Sequence, residues 1–198
     1  NPAEGLEILL AVWDDGSVTA LSGHVDLGTG LRTAMAQIVA EELSIGIDRV
    51  NMVLGDTSRT PNQGATIASA SIQIHAIPLR AAAAQARAWL QARAVLDQNG
   101  ATQPNAAQLN YEQLLGGQHI ELPLDLHTAV KSPEDYRLVG TSTARVDIPA
   151  KATGELTFVH DMRVPGMLHG RVVRPPYAGA DHGDFIGNTL ESVEESSI

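Results

Sequence analysis

The chain has 198 residues with 13 Lys or Arg and 23 Asp or Glu, so its formal net charge is −10. Its 43% hydrophobic and 18% charged residues can form a core, which excludes a disordered composition. The absence of cysteine excludes disulfides, thiolate nucleophiles, zinc fingers and iron–sulfur ligation by this chain. The negative charge disfavours nucleic acid as a partner, and no apolar run approaches the roughly 18 residues of a membrane span.

The first 54 residues predict a hairpin, a helix and a further strand. Residues 6–21 alternate apolar and polar side chains on either side of an Asp14-Asp15-Gly16-Ser17 turn, which is typical of a β-hairpin. From residue 31 the apolar positions follow the spacing of an amphipathic helix, which we expect to end near residues 44–46. Residues 49–54 alternate again and predict a strand.

A long helix is expected from about residue 66 to about residue 96, after a polar loop at residues 55–64. Its alanine-rich second half has high helix propensity. Residues 67–74 instead mix small polar and β-branched side chains, which are mediocre helix formers. Pro78 removes an internal hydrogen bond, so we expect the helix to kink or restart there.

The remainder predicts a connector and a second unit, and the fold class is expected to be α+β. Residues 97–135 are rich in Gln, Asn, Gly and Pro and indicate a surface connector with one short helix at 110–115. We expect a first domain at 1–96 and an incomplete second α/β domain at 136–198. Strands are predicted in that second domain around Thr157, Val159, Leu168, Gly170 and Val172.

Two glycine- and hydroxyl-rich segments are the candidate ligand sites. The first is Gly28-Thr29-Gly30, between a strand and a helix start, where free backbone N–H groups and the helix dipole favour an anionic ligand. The alternative is a tight turn in which Thr29 caps the helix. The motif lacks the third glycine of a dinucleotide fingerprint and the lysine of a P-loop.

The second candidate segment is residues 60–71, which contains Ala68, Ser69 and Ser71. Together the two segments could hold one polar, phosphate-bearing ligand from two sides, or the small residues could serve only tight helix packing. Because Ser69 and Ser71 lie about 200° apart on an α-helix, both can face one ligand only if the helix start is distorted. A hydrolase in which Ser69 or Ser71 pairs with His75 is disfavoured, since no Gly-x-Ser-x-Gly elbow is present.

Several blocks, in order, resemble the molybdopterin-binding (large) subunit of the xanthine dehydrogenase and aldehyde oxidase family. They are residues 23–38 (GHVDLGTGLRTAMAQI), 55–57 (GDT), 60–62 (TPN) and 66–71 (TIASAS). Further on, residues 131–140 (KSPEDYRLVG), 145–154 (RVDIPAKATG) and 161–176 (DMRVPGMLHGRVVRPP) resemble the opening of that family's hammerhead α/β domain. This order is similar to the N-terminal portion of large subunits of the isoquinoline 1-oxidoreductase and nicotinate dehydrogenase type.

The resemblance implies part of a molybdenum hydroxylase that oxidises an aldehyde or an N-heteroaromatic carbon, with water as the oxygen donor. By similarity Gly28, Thr29 and Gly30 contact the pterin and molybdenum-oxo side, and Ala68 borders the metal and substrate pocket. Ser69 and Ser71 bind the polar tail of a molybdopterin cytosine dinucleotide, and no protein side chain ligates the metal. Thr29 departs from the family's glutamine, which puts a direct contact from this position in question.

The resemblance also implies partners. The family's catalytic glutamate has no counterpart in this sequence, so no catalytic residue is expected here and the chain is expected to share its cofactor with the remainder of the molybdenum subunit. Iron–sulfur clusters are expected on a partner subunit only, and the sequence leaves the compartment open between the bacterial cytoplasm and the periplasm. The alternatives are a non-catalytic scaffold piece of an oxidoreductase complex and a free-standing nucleotide-binding protein.

Overall fold

The computed structural model describes residues 7–97 and 111–172 and the single positions 192, 194 and 196. The chain forms two compact units, Asn1–Leu156 and Thr157–Ile198. The first unit combines a small mixed sheet with packed helices, which confirms the α+β class. Within the described residues, no helix is both long enough and apolar enough to cross a membrane.

The sheet has three strands in the order β1 (Leu10–Val12), β2 (Val18–Ser22) and β3 (Val50–Leu54). β1 and β2 pair antiparallel, with Leu10 opposite Ala20, which confirms the predicted hairpin. β3 runs parallel to β2, with Ser22 opposite Leu54. A parallel pair requires a crossover connection, and the helix between the two strands supplies it.

That crossover helix is α1 (Leu31–Leu43), within one residue of the predicted end. It packs one face against β3 and the next long helix, and this face forms the centre of the core. The fully buried side chains of the core include those of Met35, Val39, Leu43, Val18 and Leu79. The sheet and α1 therefore place the end of β2 and the start of α1 at one edge of a packed core.

The predicted helix at residues 66–96 is wrong at its start. Residue 66 is a bend and residues 68–69 form a turn, Ser71–His75 is a π-helix, and the α-helix α2 begins only at Ala76 and runs to Asp97. The change from π to α geometry comes two residues before Pro78, whose missing N–H makes an ordinary α-helical hydrogen bond impossible there. The poor helix formers of residues 67–74 thus adopt irregular backbone.

The chain after α2 returns across α1. Helix α3 (Tyr111–Leu115) confirms the short helix predicted in the connector, and residues 131–139 lie against α1 through two buried carboxylates. Glu42 pairs with Arg80 at 2.7 Å and Arg87 at 3.0 Å, and Glu41 pairs with Lys131 at 3.1 Å. Helix α4 (Ile148–Thr153) ends shortly before the first unit does.

Strands predicted at Thr157, Val159, Leu168, Gly170 and Val172 are absent from the described residues 157–172, so this prediction is wrong there. The structure instead has a 3₁₀ turn at Val159–Asp161. The apolar side chains of Val159 and Leu168 are 81% and 94% exposed, so no neighbouring strand or core covers them in this part of the chain. Residues 173–191 lie outside the described residues, and the predicted domain boundary at residue 136 stays a prediction.

Candidate functional site

The first predicted corner, Gly28-Thr29-Gly30, lies at the start of α1, and Asp26 fills it from inside. The Asp26 carboxylate accepts the backbone N–H groups of Gly28 at 2.9 Å, Gly30 at 3.1 Å and Arg32 at 3.0 Å. Partial burial opposes ionisation, but these three bonds outweigh it and hold the pKa of Asp26 below its usual range. The expectation that the N–H groups of Gly28 and Gly30 are free for a ligand is therefore wrong.

The outer side of this corner is open. Gly28 has a left-handed φ of 92°, a Cβ added at this position would meet no atom within 4 Å, and Thr29 is exposed. The N-cap of α1 is Gly30, with no side-chain cap, so Thr29 does not cap the helix. The guanidinium of Arg145 donates to the Gly28 carbonyl at 3.0 Å, which places a cation beside the corner.

The second candidate segment, residues 60–71, forms the second corner, and its backbone is distorted in the way that two ligand-facing serines require. Ala68 and Ser69 have left-handed φ values of 54° and 55°, and Ser71 begins the π-helix. Non-glycine residues rarely adopt this conformation, which costs on the order of 1 kcal/mol for each residue. Ala68 and Ser69 are exposed and Ser71 is partly buried. Strained backbone that is held in place by its surroundings is typical of a functional segment.

Hydrogen bonds join the end of β2 to the second corner. The side-chain oxygen of Gln63 accepts the Ser22 hydroxyl and the Gly23 N–H, both at 2.9 Å. Two residues later the Val25 N–H donates to the Thr66 hydroxyl at 2.9 Å. Residues 22–25 lead directly into the first corner, so the structure brings both corners to the same edge of the first unit.

A buried histidine completes this junction. His24 is fully buried, with Nδ1 at 2.7 Å from the Ser71 hydroxyl and Nε2 at 3.3 Å from the Gln63 carbonyl oxygen. The His75 ring lies 4.1 Å from that of His24, and both burial and His24 lower the pKa of His75. Since the described hydrogen bonds join Ser71 to His24 and not to His75, the structure does not support the hydrolase pairing.

Sequence reasoning missed Asp26, His24, Gln63 and Thr66 as parts of the site. Asp26 carried a detectable signal, because an Asp two residues before a glycine is typical of a side chain that bonds its own following backbone. His24 and Gln63 had none, since their partners lie 39 or more residues away. The described residues contain no cluster of His, Asp and Glu that could hold a metal ion.

The fold and the site define a class of protein: an α+β domain with two open, hydroxyl-bearing corners at one edge. Comparison with known families makes this specific, because residues 2–157 match the model of the molybdopterin cofactor-binding domain. The chain belongs to the molybdopterin cofactor-binding domain family.

Several curated proteins are similar to the chain. Over 98% of its length it is 56% identical to the B subunit of nicotinate dehydrogenase from Pseudomonas putida, of which the match covers 17%. It is 29% identical to the beta subunit of isoquinoline 1-oxidoreductase from Brevundimonas diminuta, over 87% of the chain and 29% of that relative. A shorter match, 34% identical over 34% of the chain, is to mouse xanthine dehydrogenase/oxidase, of which it covers 5%. The chain therefore spans less than a third of each of these relatives.

The residues of the two corners fit a polar cofactor that lies on the surface of this unit and not within its core. The second corner offers the exposed Ser69, and the first offers the exposed Thr29 beside an open glycine. Neither of these two hydroxyl side chains is charged, although the Asp26 carboxylate lies on the inner side of the first corner and Glu7 accepts the N–H of Asn62 in the second. A cavity of about 220 Å³ lies between α1, the start of α2 and residues 136–139, and no residue of either corner lines it. Its lining residues are Ile38, Glu41, Glu42, Ile72, Ala76, Ile77, Arg80, Tyr136 and Val139.

Proposed function

We propose that the chain supplies cofactor-binding corners to a molybdenum hydroxylase that oxidises an aldehyde or an N-heteroaromatic substrate, with water as the oxygen donor. The observation that carries this proposal is the pairing of two open, hydroxyl-bearing corners at the end of β2, joined through Gln63, Thr66 and His24. Membership in the molybdopterin cofactor-binding domain family supports it. When bound, the cofactor supplies the oxygen-transfer and electron-accepting chemistry.

The proposed cofactor is molybdopterin cytosine dinucleotide, and each corner has a distinct role in holding it. Thr29 would contact it with a hydroxyl, since Asp26 already uses the N–H groups of Gly28 and Gly30. The two glycines would then serve by keeping the backbone open to close approach. The left-handed turn at Ala68 and Ser69 would direct the Ser69 hydroxyl and the small Ala68 side chain toward the ligand.

This chain would orient the cofactor but would not carry the acid–base chemistry. Its charged groups near the corners are committed, Asp26 to three backbone N–H groups and Arg145 to Asp147 at 2.7 Å. We propose that the base and the remaining pocket walls come from the rest of the molybdenum subunit. An iron–sulfur partner subunit would carry the electrons away from the reduced cofactor.

The test is the cofactor content of the assembly purified with its partner subunits. We expect the wild-type assembly to contain molybdenum and pterin in equal molar amounts. Ser69→Gly removes the hydroxyl but suits the left-handed backbone, and we expect this variant to contain less of both. Ser142→Ala, at an exposed serine outside both corners, is the matched control and should retain full content. Absence of molybdenum and pterin from an active wild-type assembly would refute the proposal.

A second candidate, a non-catalytic scaffold role, is favoured by one observation. Four isoleucines in and beside the second corner are 42–66% exposed, which is unusual for side chains of this size in one segment: Ile67, Ile72, Ile74 and Ile77. If the segment serves only as an interface, Ile74→Ser should weaken subunit assembly, and Ser69→Gly should leave cofactor content unchanged. A loss of cofactor in Ser69→Gly with assembly intact would exclude this alternative.

A further inference from the structure

The hydrogen bonds of His24 determine which atoms of its ring carry hydrogen. Its Nε2 faces the carbonyl oxygen of Gln63 at 3.3 Å, and a carbonyl oxygen can only accept. Nε2 therefore carries a hydrogen. The ring is fully buried, and its hydrogen-bond partners among the described residues are a hydroxyl and a carbonyl rather than a carboxylate, so the neutral form avoids an unpaired buried charge.

In the neutral ring the other nitrogen, Nδ1, is an acceptor. The Ser71 hydroxyl, 2.7 Å away, must then donate its single hydrogen to Nδ1. The Ser71 oxygen retains lone pairs but has no hydrogen left for another partner. Ser71 is only partly buried, so part of this residue stays open to solvent.

We propose that His24 is a positioning residue that makes the Ser71 hydroxyl a hydrogen-bond acceptor toward the cofactor, so that Ser71 binds a ring N–H or amino group and not a phosphate oxygen. The inference rests on the proposed function and assigns different ligand chemistry to the two serines. Ser69, which is exposed and has no side-chain hydrogen bond among the described residues, keeps its hydrogen and can donate to a phosphate oxygen.

A double-mutant cycle in the purified assembly tests whether His24 acts through Ser71. The readout is the rate at which pterin dissociates from the folded protein, with thermal unfolding as the check on folding. We expect Ser71→Ala to raise that rate by roughly threefold to tenfold, the equivalent of one hydrogen bond. His24→Leu should have a similar effect, and the double variant should be no worse than either single variant, because both remove the same interaction.

His24→Asn is the rescue variant, because its side-chain oxygen can replace Nδ1 as the acceptor for Ser71. We expect near wild-type pterin retention for it. Additive losses in the double variant would overturn the inference, as would wild-type retention in Ser71→Ala. If the wild-type assembly contains no pterin at all, the proposed function fails instead, and the inference falls with it.

Nitrogen NMR of the holo-assembly labelled in its histidine rings tests the hydrogen-bond polarity directly. The signals of His24 are assigned by their loss in His24→Asn. We expect a neutral ring with hydrogen on Nε2 and none on Nδ1. Hydrogen on Nδ1 would overturn the inference, because Ser71 would then accept from His24 and be free to donate to a phosphate.

Discussion

Replacing Glu41 should loosen residues 137–139 from α1, while Glu42 still holds the backbone of Lys131. Its carboxylate, 3% exposed, accepts the backbone N–H groups of Arg137 at 2.8 Å, Leu138 at 2.6 Å and Val139 at 3.0 Å. Glu41→Ala leaves these three donors without their acceptor and leaves the Lys131 ammonium only the backbone carbonyl of residue 41. Breaking a buried charge pair of this kind costs about 3–5 kcal/mol. At about 2–4 °C for each kcal/mol in a domain of this size, the melting temperature should fall by roughly 6–20 °C.

Thermal unfolding of the purified assembly, followed by calorimetry, measures this effect. Glu134→Ala is the matched control, because Glu134 lies in the same segment but is exposed, and it should change stability by no more than about 0.5 kcal/mol. A fall of less than about 2 °C in Glu41→Ala would refute the reasoning. That result would mean that the three N–H groups find other partners at little cost.

Three further predictions concern the site and the core. Three N–H groups lower the pKa of Asp26 despite its burial, so its contribution to stability is complete above the unfolded pKa and is lost as pH falls below about 4. Asp26→Asn should therefore make the loss of stability at acid pH less steep. An unchanged loss at acid pH would contradict this. The Tyr111 hydroxyl is buried without a partner among the described residues, so Tyr111→Phe should raise stability by about 1 kcal/mol in denaturant titrations, and destabilisation would refute it. A Cβ at Gly23 would lie 2.1 Å from the Pro61 carbonyl oxygen. Gly23→Ala should therefore lower the free energy of unfolding by about 1–3 kcal/mol and reduce the pterin content. Wild-type values for both would contradict this, because they would show that the loop shifts freely.

The regular elements were predictable from hydrophobic period alone. α1 and the hairpin follow their patterns to within a few residues, because each buries one continuous face against the core. The start of α2 was not predictable in detail. The sequence of residues 67–74 indicated poor helix formers, but the left-handed turn and the π-helix form where Thr66 accepts from Val25 and Ser71 bonds His24, contacts that lie far away in the sequence.

The two segments of the candidate site were predictable from the sequence, but the hydrogen bonds that join them were not. The glycines and hydroxyls of both corners could be recognised because they are short local motifs. The role of Asp26 overturned the expected free N–H groups, since a carboxylate from the same loop occupies them. The prediction of strands in residues 157–172 was wrong. An alternation of apolar and polar side chains forms a strand only where a neighbouring strand and a core cover its apolar face, and these side chains are exposed.

A density map of the assembled enzyme with its cofactor in place tests the central claim most directly. The account predicts cofactor density between the two corners, in contact with Thr29 on one side and with Ser69 and Ser71 on the other. It also predicts that Asp26 still holds the N–H groups of Gly28 and Gly30 in that map. A cofactor that contacts only one corner, or that lies away from the edge where β2 ends, would contradict the account.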